Sequence, residues 1–239
     1  MTILAVEALT KQFKGLRAIQ DLSFAVERQS ITSIVGPNGA GKSTLFNMIS
    51  GYLKPTAGRI LFDGREITGM APHVVCGLGI ARAFQIAKPF PELSVERNVL
   101  VAATFGRLGP RDPQATTDRA IEICHLTAWR HQPAASLSIG NLRRLELARA
   151  IAARPMLLLA DEPCAGLNET ETREVIGVLS TIRDSGVTVL LVEHDIKAVR
   201  RASDRVVVIE AGRKIADGTA NQVFSDRAVI DAYLGTAGA

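Results

Sequence analysis

The stretch Gly36-Pro37-Asn38-Gly39-Ala40-Gly41-Lys42-Ser43 follows an apolar, β-branched run, Ile31 to Val35, and precedes a segment over 42–50 that reads as a helix. A strand running straight into a glycine-rich turn and then a helix is the context that G-x-x-x-x-G-K-[ST] requires. Glycines let successive backbone N–H groups converge on phosphate oxygens, and the helix N-terminus adds a favourable partial charge. In such a cradle Lys42 reaches the β- and γ-phosphates and Ser43 a Mg2+ ion. Kinases, GTPases and many motors share this turn, so the discriminating residues lie downstream.

Two pairs of strand-end residues come next. Met156 to Ala160 is an apolar run that ends in Asp161-Glu162. A carboxylate at the C-terminal edge of a strand beside the cradle can hold Mg2+ through water, which suits Asp161. Glu162, one residue on, is placed to orient and deprotonate an attacking water, because successive residues at a strand end point different ways. Val192-Glu193-His194-Asp195 closes the next apolar run in the same way. The C-terminal edge of a buried parallel strand is ligand-binding ground, so His194 is a candidate contact to the γ-phosphate.

The pattern around these motifs predicts an α/β fold. Strands are expected at Ile3 to Ala8, Ser23 to Glu27, Ile31 to Val35 and Gly58 to Phe62, the last ended by the Asp63-Gly64 turn. Helical character runs from about Pro91 to Ala153. Ser94 is the N-cap of one helix, Thr116 to Leu126 a second, and Asn141 to Ala153 an amphipathic third closed by Pro155, with a loop over Gly106 to Pro113. Strand 156–160, helix 169–183, strand 187–192, helix 195–202 and strand 205–210 then alternate, which means βαβ units and a parallel sheet. Gly212 turns 205–210 into a hairpin with 213–216, and a last helix is expected near Asp226–Leu234. The expected organisation is a nucleotide-binding sheet, 1–85 and 153–218, interrupted by a helical lobe over 86–152 and followed by a tail, 219–239.

Composition narrows the partners. The 239 residues suit one α/β domain with an inserted lobe, and 47% hydrophobic with 22% charged residues is globular rather than disordered. The net charge of +4 comes from 28 basic and 24 acidic residues spread along the chain. Only Arg143-Arg144 and Arg200-Arg201 cluster, whereas a nucleic-acid binder carries a basic stripe. Cys76, Cys124 and Cys164 have no metal-ligand spacing and read as small buried residues of a reducing cytosol. The N-terminus reaches Glu7 before any apolar stretch long enough for a signal peptide, and no run approaches the ~20 residues of a membrane helix, so any membrane role comes through partners.

Six segments together carry a resemblance. The cradle at 36–43, Ala81-Arg82-Ala83-Phe84-Gln85, Leu137-Ser138-Ile139-Gly140-Asn141, Asp161-Glu162-Pro163, Ala165-Gly166-Leu167-Asn168 and Glu193-His194-Asp195 resemble, in order and spacing, the motif set of ABC-transporter ATPases. The resemblance implies a P-loop NTPase core with a mainly parallel sheet, an N-terminal antiparallel β part and an inserted α-helical subdomain. It implies ATP and Mg2+ as cofactors, with nucleotide contacts from Phe13 (stacking on adenine), Gly36, Pro37, Asn38, Gly39, Ala40, Gly41, Lys42, Ser43 and Thr44. Ser138 and Gly140 would bind the γ-phosphate held by an opposite subunit, although Ser138 is equally an N-cap for the helix that follows. Ser43, Gln85 and Asp161 would serve the metal, and Glu162, His194, Lys42 and Gln85 the chemistry. Ile139, Asn141 and Asn168 replace the family's usual glycine, glutamine and aspartate.

Arg143-Arg144-Leu145-Glu146-Leu147-Ala148-Arg149, Ala165 to Glu171, Val192 to Asp195 and Ala232-Tyr233-Leu234-Gly235 look like the first ATPase of bacterial branched-chain amino-acid uptake systems. Such a subunit pairs with a second ATPase and two membrane permeases, with a periplasmic solute-binding protein as an indirect partner. It sits on the cytoplasmic face of the inner membrane and binds no nucleic acid. A lipopolysaccharide-export ATPase is similar around Arg143-Arg144 and Tyr233-Leu234-Gly235. A DNA-repair ATPase of the same superfamily would interpose a long coiled coil, and no heptad tract exists here.

Overall fold

The computed structural model describes residues 1–85, 88–107 and 112–234. Strands β1 (Thr2–Phe13), β2 (Leu16–Glu27) and β3 (Ile31–Val35) lead into helix α1 (Lys42–Ile49), then β4 (Ala57–Phe62), β5 (Arg65–Glu66), α2 (Pro72–Leu78) and β6 (Ile80–Ala83). Three helices follow, α3 (Val95–Thr104), α4 (Pro113–Ile123) and α5 (Ile139–Ala152). Alternation resumes with β7 (Leu157–Asp161), α6 (Glu169–Asp184), β8 (Thr188–Val192), α7 (Ile196–Ala202), β9 (Arg205–Glu210) and β10 (Arg213–Gly218), and the chain ends in α8 (Ala220–Val223) and α9 (Arg227–Leu234). Two compact units emerge, one of Met1–Val75 with the residues from Leu190 onward, the other of Cys76–Val189.

In the first unit an antiparallel sheet runs in the order β2-β1-β4-β5. Leu4, Val6 and Leu9 of β1 and Ile19, Leu22 and Val26 of β2 are fully buried, as one face of an alternating sheet should be. Asp63 and Gly64, both at positive φ, make the two-residue turn that pairs Phe62 with Arg65. A second layer has β9 parallel to β3 and antiparallel to β10. All five residues of β3 are buried, the signature of a strand covered on both faces. Val199, Val206, Val208, Val223 and Val229 form one cluster that ties the tail helices α8 and α9 to this layer.

In the second unit β6 runs parallel to β7, and α5 packs against α3, α4 and α6. Ser94 caps α3 by accepting from the Arg97 N–H at 3.2 Å, as its sequence position predicts.

Several elements depart from expectation. β1 and β2 run longer than 3–8 and 23–27 because register shifts between Val6 and Leu9 and between Leu9 and Lys11, with Ala8 at φ 48°, break the alternation on which a strand is recognised. The second lobe helix spans Pro113–Ile123 rather than 116–126, since Asp112 caps it through the Ala115 N–H at 2.9 Å. The sequence pattern does not anticipate α2 or β6: the first contains two adjacent valines and Gly77, the second is four residues with an arginine inside. The third lobe helix starts at Ile139 and is not amphipathic, because Arg144 and Glu146 are buried along with Leu145, Leu147 and Ala148. Cys124 and Cys164 are buried, but Cys76 is exposed on α2. Ile86, Ala87, residues 108–111 of the expected loop and Gly235 lie outside the described residues.

Candidate functional site

The phosphate cradle belongs to the first unit. A Cβ on Gly36 would sit 2.0 Å from the Ile209 carbonyl oxygen, so the turn out of β3 admits only glycine there. The loop is tied on its other side by the Gly212 N–H, which donates to the Ala40 carbonyl at 3.0 Å, and by the Gln20 N–H, which donates to the Gly212 carbonyl at 2.8 Å. Gly41 ends the loop at φ 105°, and α1 begins with no side chain capping its first turn. Uncapped N–H groups at a helix start are what an anion needs. Lys42 is only 7% exposed and its ammonium donates to the Gly36 and Pro37 carbonyls at 2.6 and 3.0 Å, so the cation lies along the loop whose amides converge. Asn38, Gly39 and Ser43 are exposed, Pro37 and Thr44 half-buried, Ala40 buried.

Phe13, the last residue of β1, is 41% exposed and carries the Lys11 ammonium 5.0 Å from its ring centroid. The side chain is therefore partly open to solvent rather than sunk in the core. His194 follows β8 with its side chain 57% exposed, and its N–H donates to the carboxylate of fully buried Glu193 at 3.2 Å. Asp195 caps α7 through the Lys197 N–H at 2.8 Å, which fixes the turn that presents the histidine.

The carboxylates belong to the second unit. Asp161 ends β7 and accepts from the Arg82 guanidinium of β6 at 2.6 Å, both side chains being less than a tenth exposed. Glu162 stands next at φ 48°, a left-handed conformation that costs a non-glycine residue about 1–3 kcal/mol and turns its carboxylate to a different partner. That partner is Gln85, whose Nε2 donates to Glu162 Oε2 at 2.6 Å. Residues 77 positions apart thus meet. Among the described residues no group of three or more His, Cys, Asp or Glu could hold a metal. The side-chain oxygens of Asp161 and Gln85 are hard donors of the kind Mg2+ takes, an ion that keeps several waters and binds through one or two protein groups and substrate phosphates.

Ser138 caps α5, accepting from the Asn141 N–H at 3.2 Å, while remaining exposed beside Ile139, itself 58% exposed. Gly140 is buried, and a Cβ there would stand 3.1 Å from Glu171 Oε1. The Asn141 amide accepts from Arg144, so the shorter side chain serves the inside of the helix. Asn168 completes a capping box on α6 with Glu171, the Asn168 Oδ1 accepting from the Thr170 and Glu171 N–H groups at 2.9 and 3.0 Å. Asparagine caps as well as aspartate, so that substitution leaves the start of α6 intact.

Sequence reasoning misses four supporting residues. Arg82 enters it only as part of a motif, although an arginine inside a short strand beside an acid-ended one is a signal of pairing. Asn98 is fully buried in α3, where its Oδ1 accepts from the Phe90 N–H at 2.8 Å and its Nδ2 donates to the Phe90, Leu93 and Ser94 carbonyls. It holds the segment that presents exposed Phe90 and Pro91 with half-buried Leu93, and nothing local marks it. Glu146 is buried, which pushes its carboxyl above the usual range, against the Arg149 guanidinium and the Phe84 N–H that favour its charge. Arg143 donates to the Gln85 and Ala165 carbonyls.

Comparison with known proteins agrees with this geometry. The family model described as ABC transporter matches residues 19–165, and one described as branched-chain amino acid ATP-binding cassette transporter matches 213–239. The high-affinity branched-chain amino acid transport ATP-binding protein BraF of Pseudomonas aeruginosa is 39% identical, covering 98% of both chains. The lipopolysaccharide export system ATP-binding protein LptB of Haemophilus influenzae is 34% identical, again over 98% of each. Among solved structures, the ADP conformation of an ATP-binding cassette of an ABC transporter superposes with a TM-score of 0.89 at 30% identity, covering 98% of this chain and 99% of that one. An α/β cassette with the cradle, the paired strand-end acids and this likeness over its whole length belongs to the ABC transporter family, as one of its ATP-binding, ATP-hydrolysing subunits.

Proposed function

We propose that this cassette powers import of branched-chain or related amino acids, paired with a second cassette beneath two permease subunits that a periplasmic solute-binding protein feeds. The match of residues 213–239 to the branched-chain cassette model supports this over the lipopolysaccharide-export alternative, since that segment lies outside the nucleotide site. No helix among the described residues is long and apolar enough to cross a membrane. We place the chain at the cytoplasmic face of the inner membrane through its partners, with Phe90, Pro91 and Leu93 on the docking side of the lobe over 86–152. The core is then 1–85 with 153–218, and 219–239 the tail.

In this reading the Gly36 to Gly41 loop, Lys42, Ser43 and Thr44 hold the triphosphate of ATP, and Phe13 lies against the adenine. Ser138 and Gly140 bind the γ-phosphate of ATP on the partner cassette. Ser43, Gln85 and Asp161 would hold Mg2+, which when bound neutralises charge on the β- and γ-phosphate oxygens. Glu162 orients the attacking water and takes its proton, while His194 holds the γ-phosphate geometry and Gln85 reports on the permease.

The observation that carries this assignment is the 2.6 Å bond between Gln85 and Glu162 at the end of β7. Glu162→Gln keeps shape and loses basicity, so hydrolysis should fall about 10²-fold or more while ATP stays bound. Rapid turnover by that variant, measured as phosphate release, would move the base elsewhere, with His194 the first candidate. Solute identity is read separately, by ATP-dependent uptake of radiolabelled leucine against a non-amino-acid control in vesicles carrying the assembled transporter.

A further inference from the structure

One face of α5 grips main-chain groups of Phe84, Gln85 and Lys88. Arg143, Glu146 and Arg149 lie three residues apart, so they line one ridge of the helix. Glu146 accepts from the Phe84 N–H, Arg143 Nη1 donates to the Gln85 carbonyl, and Arg149 Nη1 donates to the Lys88 carbonyl at 3.1 Å. Arg149 also donates to Glu146 Oε2 at 2.7 Å and stands 5.8 Å from the Phe90 ring centroid. Arg143 does more than its neighbours, because its second terminal nitrogen reaches the Ala165 carbonyl at 3.2 Å, three residues beyond Glu162. Its Nε is buried without a hydrogen-bond partner, so the two carbonyl contacts are what compensate the burial of the fork.

We infer that Arg143 is a positioning residue for hydrolysis, its guanidinium fixing the backbone of Gln85 relative to the turn that follows Glu162. The inference rests on Glu162 being the base and Gln85 its partner. One planar fork bridging both loops sets the distance across which the Gln85 amide meets the Glu162 carboxylate. Arginine suits this because its donors are rigidly spaced, whereas lysine offers a single point charge that satisfies one carbonyl at a time. Displacements on the order of 1 Å in such a constellation cost up to about 10²-fold in rate.

The experiment measures ATP hydrolysis and ATP affinity by the full-length cassette assembled with its partner subunits. Arg143→Ala should lower kcat about tenfold and leave the ATP dissociation constant within about twofold, since the cradle is untouched. Arg143→Lys should fall between, and it serves as the working variant if the alanine form does not fold. In a Gln85→Ala background either Arg143 substitution should cost less than about twofold more, because the group it positions is gone. A kcat within twofold of the parent, or losses that simply multiply in the double variant, would overturn the inference. Loss of ATP affinity in step with thermal stability would do the same, by reducing Arg143 to a structural role. Glu162→Gln in the same assay separates the two readings: if it turns over rapidly the base assignment fails, and if it is inactive while Arg143→Ala is normal only the positioning role fails.

Discussion

Replacing Arg82 by methionine tests how the fold accommodates a buried carboxylate at the end of β7. The Arg82 and Asp161 side chains are 9% and 8% exposed and meet at 2.6 Å, so water screens the pair little. Methionine preserves most of the volume but leaves Asp161 buried without its cation, and breaking such a pair from one side costs about 3–5 kcal/mol. The Arg82 guanidinium also sits 4.8 Å from the Phe84 ring centroid, and methionine cannot supply that cation–π attraction. A domain of this size loses about 2–4 °C of Tm per kcal/mol, so thermal unfolding should begin about 6–20 °C earlier. The second arm of the test is Arg82→Met with Asp161→Leu, which removes both charges and should recover most of the stability, since apolar replacement of a whole buried pair is close to neutral. The reasoning fails if the single variant is destabilised by less than about 1 kcal/mol in urea or thermal unfolding, or if the double variant is no more stable than the single.

Ser138→Arg should leave ATP binding by the isolated chain within about twofold and cost about 1 kcal/mol by removing the cap on α5, yet abolish hydrolysis in the paired cassettes. Surviving hydrolysis would remove Ser138 from the partner's site. Burial raises the Asp217 carboxyl, but bonds from Arg205 at 2.7 Å and Lys214 at 3.0 Å outweigh it and hold the group below the usual range. A depressed folded-state pKa gives stability that is present above the unfolded value, near 3.9, and is lost as pH falls through the folded one. Asp217→Asn should therefore lower Tm at pH 7 and converge on the parent in acid, and a difference unchanged with pH would refute the ion-pair account.

Local spacing alone determined much of this protein. The cradle at 36–43, the caps at Ser94 and Ser138, the Asp63-Gly64 turn and the β-branched strands β3 and β8 are legible because each depends on residues within one turn or one strand of each other. The ordered motifs carried the family. Tertiary structure decided the partners. Asp161 and Glu162 are adjacent in sequence, yet one is held by Arg82 and the other by Gln85, 79 and 77 residues away. Glu146 is buried in α5 and Arg143 half-buried, because the Phe84 N–H and the Gln85 carbonyl take these side chains as their partners. Such bonds depend on which loops the fold brings together, and no periodicity along the chain records that distance.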